Sequence, residues 1–287
     1  MELGENNFVW FNGEIMPHNE AKVSVFTHAL HYGTSVFEGA RIYDGVAFKM
    51  NEHSERLVNS GVLSDIVIPF DVATLNEATK QIIAKNGLKS GYLRTLAFKG
   101  DDGLGVYSAD NRVHVLIACW EWPAYYGDDT LSKGIKLTYS NFVKPDPRSV
   151  NTAAKAGGFY HIGSIIKNDA SRRGFADALL LDTEGFVAET TSSNIFFVKD
   201  GEVHTPTPNC FLNGITRQTV IELCAKMGIV CHERKILAGE LSSFDEAFVT
   251  GSAAEITPVG EIYGYKYSVS LSLKIRDEYL KLVGATA

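Results

Sequence analysis

Hydrophobic and polar positions along this chain follow two periods in turn. Phe8-Val9-Trp10-Phe11 ahead of Asn12-Gly13 predicts a strand running into a hairpin turn, and residues 47–50 a second short strand. The spacing then changes to 3.6 and predicts helices over 52–60 and 74–86. The second opens at Thr74, with Glu77 completing a capping box, and closes at Gly87. Strands follow at 92–98 and 113–119, on either side of a glycine-rich loop at 100–105.

From Glu121 to Asp129, turn formers and aromatics replace the apolar alternation. This shift predicts a small domain over 1–122, a linker over 123–131 and a larger domain over 132–287. In the larger domain, strands are predicted at 135–139, 178–182, 194–198 and 246–250, and helices at 158–173, 216–227 and 269–283. The fold class is α+β or mixed α/β. No internal repeat or low-complexity segment interrupts it.

Composition narrows the function classes. The chain has 287 residues, enough for one large or two modest domains. The net charge of −7, with no clustered Lys and Arg, argues against a nucleic-acid surface, so any anionic ligand must be held locally. Cys119, Cys210, Cys224 and Cys231 lack metal-ligand spacing and fit a reducing cytoplasm. The first ten residues lack the basic start of a signal peptide, and no apolar run is long enough for a membrane span.

Several residues could carry chemistry. Lys155 sits in Thr152-Ala153-Ala154-Lys155-Ala156-Gly157-Gly158, where small neighbours leave room around the side chain. Imine chemistry needs a neutral amine, and bringing a lysine pKa from about 10.4 to near 7 costs about 4 kcal/mol, supplied by burial or a neighbouring cation. Alone, Lys155 reads as a surface lysine, and its surroundings must decide. Arg56, on the 52–60 helix, offers a guanidinium fork suited to phosphate, or an i,i+4 pair with Glu52. Asn213-Gly214-Ile215-Thr216-Arg217 opens a helix whose N–H groups suit an anion, and Gly251-Ser252-Ala253-Ala254 offers more N–H groups and a hydroxyl; both also read as ordinary caps and turns. Glu189 precedes a hydroxyl-rich run and could face a ring nitrogen or serve as a turn acid. His28 and His31 lack a third ligand, so no metal is expected, and the loop at 100–105 leads into a strand, which makes it a lid or dimer contact rather than a dinucleotide fingerprint.

Four stretches occur together in order: Thr27-His28-Ala29-Leu30-His31-Tyr32-Gly33-Thr34-Ser35-Val36-Phe37-Glu38-Gly39, Ala153-Ala154-Lys155-Ala156-Gly157-Gly158, Leu212-Asn213-Gly214-Ile215-Thr216-Arg217, and Gly251-Ser252-Ala253-Ala254-Glu255-Ile256-Thr257-Pro258-Val259. With them the chain resembles the branched-chain aminotransferases over nearly its whole length. The resemblance implies the two-domain fold-type IV architecture of pyridoxal-phosphate enzymes, related to D-amino-acid aminotransferase, with the cofactor between the domains and a homodimer or larger oligomer.

By the same resemblance, Lys155 carries pyridoxal 5′-phosphate as a Schiff base. Arg56, Gly214, Ile215, Thr216 and Ser252 hold its phosphate, Glu189 faces the pyridine nitrogen, Tyr160 meets the phenolic oxygen, and Asn194 completes the cofactor set. Tyr92 with Ser252 and Ala253 takes the substrate α-carboxylate; Arg94, Tyr32 and Tyr125 take the distal carboxylate of glutamate; Phe37 lines the aliphatic site. The implied reaction is ping-pong transamination of leucine, isoleucine and valine with 2-oxoglutarate. Ser252 departs from the family's usual threonine but keeps the hydroxyl. The rivals within the fold are a D-amino-acid transaminase, an (R)-selective amine transaminase and an aminodeoxychorismate lyase, which generally surround the carboxylate differently from Tyr92-Leu93-Arg94. From another class, a non-catalytic anion-binding module would need neither Lys155 nor Glu189.

Overall fold

The structure, a computed structural model, describes residues 7–123, 126 and 130–285. It divides into two compact units: one runs to Pro123 and also takes in Ala154–Phe159, and the other comprises the rest. The segment bearing Lys155 therefore packs with the N-terminal unit. Most of the expected linker, including Tyr125, lies outside the described residues.

In the first unit the chain order is β1 (Phe8–Phe11), β2 (Glu14–Pro17), α1 (His28–Tyr32), β3 (Ser35–Tyr43), β4 (Val46–Ala47), α2 (Met50–Leu63), α3 (Val72–Asn86), β5 (Gly91–Lys99) and β6 (Val113–Trp120). The strands form one antiparallel sheet in the order β2-β1-β6-β5-β3-β4. Asn12 and Gly13 take the positive φ that the hairpin between β1 and β2 requires.

Alternate residues of three strands, Val36, Ala40 and Ile42, Leu93 and Ala97, and Val115, Ile117 and Cys119, form a core with Leu57 of α2 and Leu75, Ile82 and Ile83 of α3. The strand expected at 47–50 is reduced to β4, because a tight turn through Asp44 and Gly45, both at positive φ, pairs only Val46 and Ala47 with β3 before α2 begins. Helix α3 starts two residues earlier than Thr74. Asp71 is its N-cap, accepting from Thr74 N at 2.8 Å, and Glu77 bonds Gln81 instead of closing a capping box.

The second unit contains α4 (Thr130–Lys133), β7 (Ile135–Tyr139), α5 (Tyr160–Arg172), β8 (Asp177–Leu181), β9 (Val187–Thr190), β10 (Asn194–Lys199), β11 (Glu202–Pro206), α6 (Ile215–Lys226), β12 (Cys231–Arg234), β13 (Glu246–Gly251), β14 (Glu255–Ile262), β15 (Tyr265–Lys266) and α7 (Leu271–Leu282). Its sheet runs β12-β11-β10-β13-β14-β7-β8-β9, and β9 returns to pair with β10 through Glu189 and Asn194. Six strands thus close on themselves, with β11 and β12 extending outward from β10. Ile135, Leu137, Leu179, Val187, Ile195, Phe197, Val249 and Val259 fill the core. Glu246 caps α7, accepting from the backbone N–H groups of Ser270, Leu271 and Ser272 and from the Ser272 hydroxyl.

Candidate active site

In the first unit, β3 and β5 pair Phe37 with Leu96, Gly39 with Arg94, and Arg41 with Tyr92. Those residues point away from the face covered by α2 and α3, because the alternating partners Val36, Ala40, Leu93 and Ala97 fill that core. Phe37 lies at the centre of this second face. The Arg94 guanidinium carbon stands 4.5 Å from its ring centroid, and Lys155 Nζ stands 4.9 Å from the same centroid. Lys155 is held by its backbone: its N–H donates to Ser60 Oγ at 3.0 Å and its carbonyl accepts from Phe37 N at 3.0 Å. Its neighbour Ala156 forms a β-bridge with Val36.

Gly39 is needed for this face. A Cβ there would run into the hydroxyl of Tyr92, whose ring lies edge-on to Trp122 at 4.6 Å. The Arg94 Nε is buried with no hydrogen-bond partner among the described residues. A buried orphan donor of this kind marks a position where a carboxylate would be welcome.

On the opposite face, beneath α2, Glu38 is 2% exposed and grips Arg56 with both oxygens, Nε at 2.6 Å and Nη2 at 2.9 Å; the His53 Nδ1–H donates to it at 2.6 Å. Burial alone would raise its pKa. The Arg56 charge and the hydrogen bonds from His53 and Arg56 outweigh burial and hold the carboxyl at about 2. Arg56 is thereby fixed in one orientation by a charge-assisted fork.

In the second unit, the closure of the sheet assembles the remaining residues. Glu189, the residue before the last of β9, lies directly opposite Asn194 on β10, and Asn194 is also paired with Thr250 on β13. Asn194 Nδ2 donates to Glu189 Oε2 at 3.0 Å and to Leu212 O at 3.0 Å, while its Oδ1 accepts from Gly214 N at 3.1 Å. One amide therefore ties the carboxylate to the start of α6. A Cβ at Gly214 would strike Asn194 Oδ1, so a side chain there would break the tie. Ile215 and Thr216 open α6 in a buried setting without a side-chain cap. At the same end of the sheet lies the Gly251–Ala253 turn, where Thr250 Oγ1 is buried and unpartnered among the described residues.

Lys144 donates to Glu189 Oε1 at 2.7 Å. Burial would lower the lysine pKa, but the charge and hydrogen bond of Glu189, with smaller contributions from Tyr160 and Cys210, raise it. Glu189 thus holds one cation and one amide, both fixed by the fold.

Of the residues singled out from the sequence, Phe37, Arg56, Tyr92 and Arg94 lie in the first unit together with Lys155, which the sequence had put in the larger domain; Tyr160, Glu189, Asn194, Gly214, Ile215, Thr216, Ser252 and Ala253 lie in the second. Tyr32 stands apart from Arg94's strand on α1, 49% exposed, and its hydroxyl donates to Leu104 O at 2.9 Å. His28 is buried, with its ring nitrogens 2.8 Å from Thr34 Oγ1 and 2.9 Å from Gly105 O, so it is a strut for the 100–105 loop. Glu38, His53, Ser60 and Lys144 were not singled out. Only Glu38 carried a signal, a charged residue within an apolar run; the others act through contacts 15 to 95 residues away in sequence.

Residues 35–262 match the family model described as amino-transferase class IV. The branched-chain-amino-acid aminotransferase of Pseudomonas aeruginosa is 39% identical over 96% of this chain and 92% of its own. The crystal structure of the Escherichia coli branched-chain amino acid aminotransferase superposes with a TM-score of 0.94 at 38% identity, covering 98% of this chain and 96% of that one. Two structures of the T.th. branched-chain amino acid aminotransferase, complexed with N-(5′-phosphopyridoxyl)-L-glutamate and with 4-methylvaleric acid, each superpose with a TM-score of 0.92 at 37% identity, over 97% of this chain and 94% of that one.

Proposed function

Given that the chain belongs to the class IV aminotransferase family, within the branched-chain-amino-acid aminotransferases, we propose that it moves the amino group between branched-chain L-amino acids and 2-oxoglutarate by a ping-pong reaction. It is a pyridoxal-phosphate enzyme with Lys155 as the residue that holds the cofactor. The observation that carries this reading is the placement of an amine and a guanidinium against one aromatic ring, Lys155 and Arg94 against Phe37.

The residues present fit the cofactor. A buried helix start without a side-chain cap, at Ile215 and Thr216, suits a phosphate; the orphan Thr250 Oγ1 lies next to the Gly251–Ala253 turn that includes Ser252. By the family resemblance, Arg56, oriented by Glu38, would add charge to the phosphate, Glu189 would face the pyridine nitrogen, and Tyr160 would meet the phenolic oxygen. When bound, the cofactor supplies an electron sink for the charge left at Cα. Lys155 Nζ would be the base that takes the proton from substrate Cα. Asn194 holds Glu189 and Gly214 in register. Tyr92, with the Ser252 and Ala253 backbone, binds the α-carboxylate.

One substrate site must accept leucine and glutamate in turn. The Phe37 ring offers apolar surface to an aliphatic side chain, and Arg94 at its edge offers the fork for a γ-carboxylate. The T.th. relative, complexed in one structure with N-(5′-phosphopyridoxyl)-L-glutamate and in another with 4-methylvaleric acid, supports this dual use. Arg94→Met is expected to lower kcat/KM for L-glutamate by about 10- to 100-fold, the worth of a charged hydrogen bond, and to change that for L-leucine by less than about threefold. Steady-state kinetics with both substrates check it.

Exposed apolar residues support the homodimer or larger oligomer expected of the family. Val25, Phe26, Leu30, Val106 and Tyr107 are 58 to 83% exposed, and Tyr32 adjoins them, a patch too apolar to favour water. Four free cysteines suit a reducing cytoplasm, and no helix among the described residues is long and apolar enough to cross a membrane. The function is tested by half-reaction absorbance. L-leucine should convert the cofactor spectrum, whereas conversion by D-alanine or (R)-1-phenylethylamine and none by L-leucine would replace this proposal with a rival of the same fold.

A further inference from the structure

We propose that the edge of the second unit's sheet carries a divalent transition-metal site, of the zinc class, formed by Glu202, His204 and His232. The strand period puts Glu202 and His204 on one face of β11, since the intervening Val203 and the following Thr205 are fully buried on the other. The parallel register of β11 with β12 sets His232 directly beside His204. Their rings stack with centroids 4.8 Å apart, and Glu202 Oε2 lies 2.7 Å from His232 Nε2.

One ligand atom from each residue falls within 4.8 Å of the others. Around a tetrahedral zinc with bonds of about 2.0 to 2.2 Å, neighbouring ligand atoms lie about 3.4 Å apart. The remaining gap is closed by side-chain rotation alone, which Glu202 and His232, with side chains 49% and 42% exposed, can make without moving the backbone. Two imidazoles and a carboxylate suit zinc, nickel or copper better than calcium or magnesium, and water completes the coordination.

One group, Arg234, opposes the site, and it is answered locally. Arg234 Nε donates to His204 Nδ1 at 3.3 Å, a long bond that metal binding at that nitrogen would replace. The Arg234 charge is matched by Glu240, which it meets at 2.8 and 3.2 Å. The remaining carboxylate nearby, Glu233, faces the buried Arg217. The site shares no residue with the candidate active site, and its physical consequence is a clip that ties the edge strand β12 to β11.

The test uses tag-free, cofactor-loaded protein stripped with a chelator and titrated with Zn²⁺ against a chromophoric competitor, then with Co²⁺ for the visible bands of a tetrahedral site. One Zn²⁺ per chain is expected, with Tm raised by about 5 °C at a hundredfold excess over Kd. His232→Gln and Glu202→Gln should each weaken binding at least about tenfold, the lower end of what even an outer partner is worth at a metal site, while leaving turnover in chelator unchanged. Binding that is equally tight in both variants, or an absence of stoichiometric binding to the unmodified protein, overturns the proposal.

Discussion

Lys155→Ala should abolish transamination to within the background of the free cofactor. Proton transfer at Cα by a positioned base is worth roughly 10²- to 10⁴-fold by itself, and this substitution removes the covalent anchor as well as the base. Lys155 is the lysine held at Phe37 by two backbone hydrogen bonds, so the variant keeps the main-chain contacts to Ser60 and Phe37 and should fold. Single-turnover assays with L-leucine measure the loss, and borohydride reduction followed by peptide mapping shows where the cofactor was attached. Turnover within about tenfold of the parent, or a label on another lysine, would remove Lys155 from the role.

The second large effect is expected at Glu38. This carboxylate is buried with Arg56 and His53 as its partners, and Glu38→Ala leaves the guanidinium without its counter-charge under α2. Breaking a buried pair from one side costs about 3 to 5 kcal/mol. A second consequence separates this from a generic core defect: Arg56 loses the fork that orients it, so the variant should also release cofactor more readily, and added pyridoxal phosphate should restore part of the activity. Urea denaturation with and without cofactor measures both.

The pH dependence of Glu38 has a definite sign. Its folded value of about 2 lies below the ordinary 4.5, so its contribution is complete above pH 4.5 and is lost as pH falls from there towards 2. That difference corresponds to about 3 kcal/mol. Acid unfolding of Glu38→Gln should therefore be shallower over this range than that of the parent, and parallel curves would show that Glu38 does not carry the linkage.

The sites divide by how far each depends on neighbours distant in sequence. Gly214, Thr216 and Ser252 were singled out because a helix opening and a turn leave a local trace, whereas Lys155, which alone reads as a surface lysine, was singled out by the company of the other motifs. Glu189 was legible only in company, since a carboxylate before a hydroxyl-rich run is also a plain turn acid. Lys144, the cation that meets Glu189, had no local trace: it lies in an irregular stretch of polar and proline residues and acquires its role through a contact 45 residues away.

Elements show the same division. The strand β6, with one face in the core, alternates visibly. Helices α2, α3 and α6 show their period. The strand β3 did not, because both its faces are enclosed, one by α2 and the other by Tyr92 and its neighbours, so apolar and polar positions no longer alternate. In β14, Pro258 and Gly260 interrupt a strand that is nevertheless central; the irregular pairing with β7 between Val259 and Glu261 explains how the sheet accommodates them.

By itself the sequence determined the mixed α/β character, the helix and hairpin ends at Gly87 and Asn12-Gly13, and the ordered set of motifs that marks the family. Those are local choices of conformation and residue type, made within a few positions of one another. The tertiary structure decided which groups share a surface: Lys155 and Arg94 against Phe37, Glu38 beneath Arg56, Glu189 between Lys144 and Asn194 at the closure of a sheet, and Glu202, His204 and His232 on one edge. Each pairing depends on strand register, and register is set by the burial of many side chains at once.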